Sequence, residues 1–195
     1  MSRPISRFFH TLWQAAALIT VIALTALLLH NAYRQYYSSV YPIKYQDEVA
    51  AASNNFGIEP SLIYAIIHTE SSFNPQAISS ADAKGLMQLT DSTFKWALDR
   101  AGENGVHTSK ELFVPSVNIH YGVYVLVLLG EQFKDIETVL AAYNAGQGRV
   151  AEWLGDKQYS SDGIHLHTIP YPETEVYVRR VLETQKYYQQ LYSIQ

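Results

Sequence analysis

Hydrophobic positions in the 195-residue chain form one unbroken block followed by a series of interrupted stripes. From Phe8 to Leu29 no residue carries a formal charge. As a helix this block would reach roughly 33 Å at about 1.5 Å per residue, enough to cross a hydrocarbon layer of about 30 Å. Leu, Ile, Val and Ala surround it on every face, which favours a membrane span over an amphipathic core helix. A cleaved signal peptide is the competing reading, but "LLLHNA" after the apolar run supplies no small-x-small cleavage site, so an uncleaved anchor is expected. Arg3 and Arg7 precede the block, whereas Arg34 with Tyr33, Tyr36 and Tyr37 follows it. That asymmetry places the N-terminus inside and the remainder outside the cytoplasmic membrane. The expected organisation is a cytoplasmic tail over residues 1–7, an anchor over 8–29, a tether over 30–42 ending near Pro42, and a folded domain over 43–195.

Beyond the tether the pattern is helical. "KYQDEVAAASNNFGI" is amphipathic and stops at Asn54, Asn55 and Gly57. Glu59-Pro60 starts a second helix with Pro60 at its first position. A loop is expected from Asn74 to Lys84. "LTDSTFKWALDRAG" then reads as a helix capped by Asp91 or Ser92 and ended by Gly102, and "VPSVNIHYGVYVLVLLGEQF" and "DIETVLAAYNAG" read as a helical pair joined through Lys134 and Asp135. A last helix spans about Glu173 to Tyr192. Only "HLHTIPY" suggests extended structure. The apolar run Val123 to Leu129 is too short to cross a membrane and reads as core. The expected fold is all-α, one globular domain after an N-terminal transmembrane helix.

One stripe ends unexpectedly. Ile63, Ile66, Ile67 and Glu70 stand at i, i+3, i+4 and i+7, so an acid continues a row of isoleucines. A carboxyl group in apolar surroundings loses hydration mainly in its charged form, its pKa rises, and it can hold a proton near neutral pH. A general acid in glycoside cleavage needs that property. Position alone leaves open a Glu70 that reaches solvent at the helix end or caps a neighbouring loop.

Composition narrows the classes. Net charge is −4 with a pI of about 5.9, so no global basic field draws the chain to nucleic acid. There is no cysteine, which excludes disulfides, thiolate chemistry, a cysteine-based zinc site and a lipid-modified N-terminal cysteine. Tyr occurs 15 times, in keeping with a surface that meets sugars or partners through rings with a polar tip.

The company Glu70 keeps is specific. "ESSFNP" at Glu70 to Pro75, Ser79, "GLMQ" at Gly85 to Gln88, "NIHYGVY" at Asn118 to Tyr124, "AYNAG" at Ala142 to Gly146 and "PYPETEVYV" at Pro170 to Val178 occur in order over roughly residues 44 to 192. This series resembles the lytic transglycosylase catalytic domain of the soluble-lytic-transglycosylase type, a branch of the lysozyme-like superfamily. The resemblance implies that Glu70 is the single acid/base. It would protonate the glycosidic oxygen between N-acetylmuramic acid and N-acetylglucosamine, then take a proton from the muramyl C6 hydroxyl, leaving a 1,6-anhydromuramyl end with no water consumed. It further implies that Tyr143 is directed at the acid, where a phenol would position it and stabilise developing charge. Ser79, Met87, Gln88, Asn144 and Glu173 are the implied substrate-binding residues. Each has a plainer reading: a loop serine, a core methionine, a turn amide, a turn former and a helix cap.

The chain departs from the family pattern at Thr90 and Asp91, where methionine and proline usually follow, and at Asp82, where glycine is frequent. These changes bear on substrate fit and spare the acid. His165 and His167 form an isolated H-x-H without the company of a metal site, and His68 points away from Glu70 as a surface histidine. "GQGRVAEW" lacks the third glycine and preceding strand of a nucleotide loop. No metal and no cofactor are implied. The expected partners are peptidoglycan glycan strands and the membrane, with an envelope-machine protein kept as a candidate. A hydrolytic lysozyme of the goose type and a non-catalytic peptidoglycan-binding module remain the rival readings.

Overall fold

The computed structural model describes residues 4–192. Residues 1–3, part of the expected cytoplasmic tail, and 193–195, at the end of the expected domain, lie outside the described residues. The chain divides into two compact units, one ending at Pro42 and the other beginning at Ile43.

The first unit is a single helix, α1, over Pro4–Val40. Its stretch Leu12–Val40 is long and apolar enough to cross a membrane, and none of it is buried within the protein. The helix continues through the region that its turn formers suggested as a tether. Ser38 and Ser39 turn their hydroxyls back onto the Gln35 and Tyr36 carbonyls at 3.0 and 2.6 Å instead of breaking the helix. Tyr33 and Tyr37, one turn apart, bring their rings to 4.3 Å between centroids.

The second unit is all helical. Its elements are α2 (Gln46–Phe56), α3 (Pro60–Ser71), α4 (Asp91–Ala101), a 3-10 turn (Ser109–Phe113), α5 (Pro115–Gln132), α6 (Ile136–Ala145), α7 (Gln147–Gly155) and α8 (Pro172–Tyr192). Local chemistry explains the boundaries. Gly57 and Gly102 end α2 and α4 with φ of 70° and 73°, a left-handed conformation that glycine adopts without cost from a Cβ. Pro60 opens α3, and Asp135 caps α6 by accepting the Thr138 N–H at 3.0 Å. The cap of α4 is Thr90, whose hydroxyl accepts the Thr93 N–H at 3.2 Å, and not Asp91 or Ser92; the Asp91 carboxylate is engaged by Lys84 instead.

Two elements differ from the sequence reading. "GQGRVAEW" forms most of α7, a separate helix that follows Gly146 at φ 90°. "HLHTIPY" is a chain of bends and not a strand. Its His167 N–H donates to the Tyr159 carbonyl at 3.0 Å, and no neighbouring strand is present among the described residues to complete a ladder. Among those residues the β pairing is limited to the isolated bridges Ile78 to Lys84 and Lys84 to Leu89.

Helix α3 is the buried axis of the domain. Every residue from Ser61 to Ile67 is buried, so the isoleucine stripe belongs to a helix enclosed on all sides. It packs against α8 and α2, while α5 packs against α2, α4 and α6. The run Val123 to Leu129 lies in this core, with Val123, Val125, Leu126, Leu128 and Leu129 all buried.

Candidate active site

Glu70 sits in the last turn of α3, where burial gives way to a cleft of about 590 Å³. That size falls within the range of ligand sites, roughly 300–1,000 Å³. Ser79, Gln88, Tyr143, Asn144 and Glu173 line the same cleft with Glu70. Burial raises the Glu70 pKa from its ordinary 4.5 to about 7, with the Tyr177 hydroxyl pulling the other way. A carboxyl group so placed is part protonated at neutral pH and opens onto a groove.

The floor of the cleft is a loop held from below. Ser71, the residue after Glu70, donates its hydroxyl to the Leu86 carbonyl at 2.8 Å. Asn118 of α5 is fully buried; its side-chain oxygen accepts the Met87 N–H at 2.7 Å, and its amide donates to the Lys84 and Leu112 carbonyls at 2.9 and 2.8 Å. Two glycines make room for this contact. A Cβ on Gly85 would stand 2.1 Å from the Leu112 carbonyl oxygen, and one on Gly122 would stand 2.5 Å from the Met87 sulfur. Ser72, Phe73, Asp82 and Gln88 all have φ between 50° and 63°, so the segments around Glu70 and the loop hold several side-chain-bearing residues in a conformation such residues rarely adopt.

The loop side chains divide by role. Ser79 accepts the Ala81 and Ala83 N–H groups at 3.2 and 3.1 Å, which leaves its own hydroxyl hydrogen for the cleft. Gln88 donates its amide to the Gly85 and Ala77 carbonyls at 2.9 and 3.2 Å. That is the turn-amide role, and only its carbonyl oxygen remains for a ligand. Met87, expected as a substrate contact, is fully buried against Gly122 and is not among the residues lining the cleft. It serves the site through its backbone, whose carbonyl accepts the Tyr143 hydroxyl at 2.8 Å.

Tyr143, from the end of α6, lines the cleft within electrostatic reach of Glu70, yet its proton goes to Met87. Burial first, and the Glu70 charge second, push its pKa well above the ordinary phenol value. Asn144 accepts the Thr174 hydroxyl at 2.8 Å, tying the end of α6 to the start of α8. Glu173 is exposed on the cleft rim. His68, expected at the surface, is half-buried with its ring edge-on to Phe73 and Tyr188.

Tyr177 was missed. It lies one turn after Glu173 in α8, and its buried hydroxyl makes no hydrogen bond of ordinary geometry, while it faces Glu70 closely enough to lower that residue's pKa. Burial and the Glu70 charge raise the Tyr177 pKa well above its usual value. The signal was the final tyrosine of "PYPETEVYV", quoted for its pattern and not for its direction.

Residues 47–165 match the family model of the transglycosylase SLT domain. The soluble lytic murein transglycosylase of Escherichia coli is 33% identical over 150 residues, covering 76% of this chain and 23% of that protein. A membrane-bound lytic murein transglycosylase C of Salmonella arizonae is 41% identical over 116 residues, covering 55% and 32%. Among solved structures, an inactive mutant of lytic transglycosylase Slt from Pseudomonas aeruginosa superposes with a TM-score of 0.68 at 35% identity, over 80% of this chain and 25% of that one. The 70 kDa soluble lytic transglycosylase of Escherichia coli gives 0.69 at 30%, over 79% and 25%. The chain thus spans about a quarter to a third of the length of these relatives.

Proposed function

The chain belongs to the transglycosylase SLT domain family, and from that premise we propose that it is a membrane-anchored lytic transglycosylase of peptidoglycan. The observation that carries the reading is Glu70: a carboxyl group at the end of a buried helix, held near pKa 7 by burial, on the wall of a sugar-sized cleft. In its protonated form it gives its proton to the glycosidic oxygen between N-acetylmuramic acid and N-acetylglucosamine as that bond breaks. The muramyl C1 gains oxocarbenium character, and the carboxylate left behind takes the proton of the muramyl C6 hydroxyl as that oxygen bonds to C1. The acid is restored, no water enters, and the product ends in a 1,6-anhydro ring. Tyr177 and Tyr143 face the carboxyl as neutral phenols throughout, since both resist ionisation beside it. Ser79 and Asn144 offer free donors to the sugar.

A hydrolytic mechanism needs a second carboxylate as base or nucleophile, and Glu173 is the further acid on the cleft lining. Its exposure on the rim suits hydrogen bonding to substrate better than action at a shielded carbon. Mass analysis of the muropeptides released from purified murein separates the two outcomes. Anhydromuramyl ends, lighter by one water than reducing ends, are expected, and they disappear in Glu70→Gln. Reducing ends alone would establish the hydrolytic reading, and release undiminished in Glu70→Gln would remove Glu70 from the mechanism.

Helix α1, with no residue of its apolar stretch buried, is the proposed single-pass anchor. Arg3 and Arg7 ahead of the uncharged block Phe8 to Leu29, against Arg34 alone just after it, support an orientation with the domain on the outer face, where murein lies.

A further inference from the structure

Next to the catalytic cleft lies a second hollow of about 260 Å³, lined by Ser92, Thr93, Trp96, Val125, Leu129 and Tyr143 among others. Thr93, Val125, Tyr143 and Gly146 line both, so the two form one groove that continues past the site over the N-terminal half of α4. The lip between them carries hydroxyls. Thr90 Oγ1 lies 3.0 Å from Ser92 Oγ and 2.9 Å from Thr93 Oγ1.

Trp96 is the unusual element of this hollow. The opposite face of α4 buries Phe94, Ala97 and Leu98 in the core, whereas Trp96 is only half-buried, beside Ser92 and Thr93. Trp153, by comparison, is buried with its ring edge-on to Tyr171. Among the described residues Trp96 has no ring contact and its indole N–H donates to no protein group. A large ring with an apolar face and a free donor, set among hydroxyls along a groove, fits a pyranose, which presents C–H groups on its faces and hydroxyls around its edge.

We propose that this hollow is a further saccharide subsite, with Trp96 as the platform for one sugar ring of the glycan strand and Ser92, Thr93 and Gln147 as its polar rim. The proposal rests on the reading of the cleft as a glycan site. It makes the protein selective for strand length: a strand that reaches Trp96 gains a contact that a short fragment lacks.

The test is binding of muroglycan oligomers of increasing length, free of stem peptides, to the full chain in detergent micelles, carrying Glu70→Gln so that nothing is turned over. Titration calorimetry is compared with and without Trp96→Ala and Trp96→Phe. Trp96→Ala is expected to weaken long oligomers about three- to tenfold more than short ones, the scale of one aromatic contact, and Trp96→Phe to recover much of the loss. An unchanged thermal midpoint establishes that the variants are folded. Equal weakening at every length, no weakening at any, or an effect that appears only when stem peptides are attached would overturn the subsite. A chain that binds oligomers in this graded way yet releases no cleaved glycan without the Glu70 substitution would sink the enzymatic reading and leave the subsite standing. Normal cleavage with no dependence on Trp96 would do the reverse.

Discussion

Asn118 accepts the Met87 backbone N–H at 2.7 Å across 31 residues of sequence, and in doing so fixes the loop whose next carbonyl receives the Tyr143 hydroxyl. One fully buried amide thereby sets the height of the cleft floor relative to Glu70. Asn118→Ala removes three hydrogen bonds at once and leaves the Met87 N–H and the Leu112 carbonyl without partners, while the Lys84 carbonyl keeps the Leu89 N–H at 3.1 Å. At about 1 kcal/mol or more for each of the two stranded groups and about 1 kcal/mol for the third bond lost, the expected loss is about 3 kcal/mol in urea unfolding. Murein release should fall further than the folded fraction does, because the loop loses its register even in molecules that fold.

Glu70 is held at the expense of stability. Unfolded, its carboxyl titrates at the ordinary 4.5; folded, at about 7. The folded value is the higher one, so folding takes up a proton between these two values. Below about pH 4.5 both states are protonated and there is no penalty, while above about pH 7 the folded chain carries a charge in poor solvent. A shift of this size corresponds to roughly 3 kcal/mol as an upper bound. Glu70→Gln should therefore be more stable than the parent at pH 8 by up to that amount in chemical unfolding, with the gap closing towards pH 4. Equal stability of the two at pH 8 would mean that Glu70 is not poorly hydrated.

The hydrophobic pattern and its end signals marked α2, α3, α4, α5, α6 and α8 but not α7, because the ends it used are set by local chemistry: Pro60, Gly57, Gly102 and Asp135 act within one turn of themselves. Glu70 was legible because a charge on an apolar stripe is a local contradiction. Asn118, Ser71 and Tyr177 were quoted only as parts of motifs, since what each does depends on a partner far away in sequence. Asn118 of α5 meets Met87 and Ser71 of α3 meets Leu86 only after the intervening loop has docked on both helices. Met87 was misassigned for the same reason. The bare face of α5 at Gly122 takes its side chain into the core, and periodicity within the loop carries no trace of that helix.

If Glu70 is the proposed acid, activity should fall as pH rises through about 7, because its carboxyl must be protonated to act. Tyr177 opposes the upward shift of Glu70. Tyr177→Phe removes that opposition, so the alkaline limb of the kcat/KM profile should move to higher pH while the maximal rate falls. A residue that merely filled space would leave the limb where it is. Tyr143→Phe should act differently, lowering turnover at every pH, since its hydroxyl is committed to the Met87 carbonyl.

Lys84 joins two of the departures from the family pattern. Its ammonium lies 2.8 Å from the Asp82 carboxylate and 2.6 Å from that of Asp91, so the aspartate at a left-handed position and the aspartate that opens α4 are held by the same cation. Because both carboxylates are exposed, Lys84→Met should cost about 1 kcal/mol or less of global stability. The effect should instead appear as a raised KM, as the loop carrying Ser79 and Gln88 loosens from α4, and the parent's KM should rise with salt as the pairs are screened. The pattern can be restored in the same protein. Asp82 has φ 59°, which glycine adopts freely. Asp91 is the first residue of α4, where proline is favoured, and Thr90 before it already has ψ 158° as a residue preceding proline requires. In a chain carrying Asp82→Gly and Asp91→Pro, the further change Lys84→Met should leave KM where the double variant has it. A double-mutant cycle of this kind reads the coupling directly, and a penalty of equal size in both backgrounds would show that Lys84 acts through some other contact.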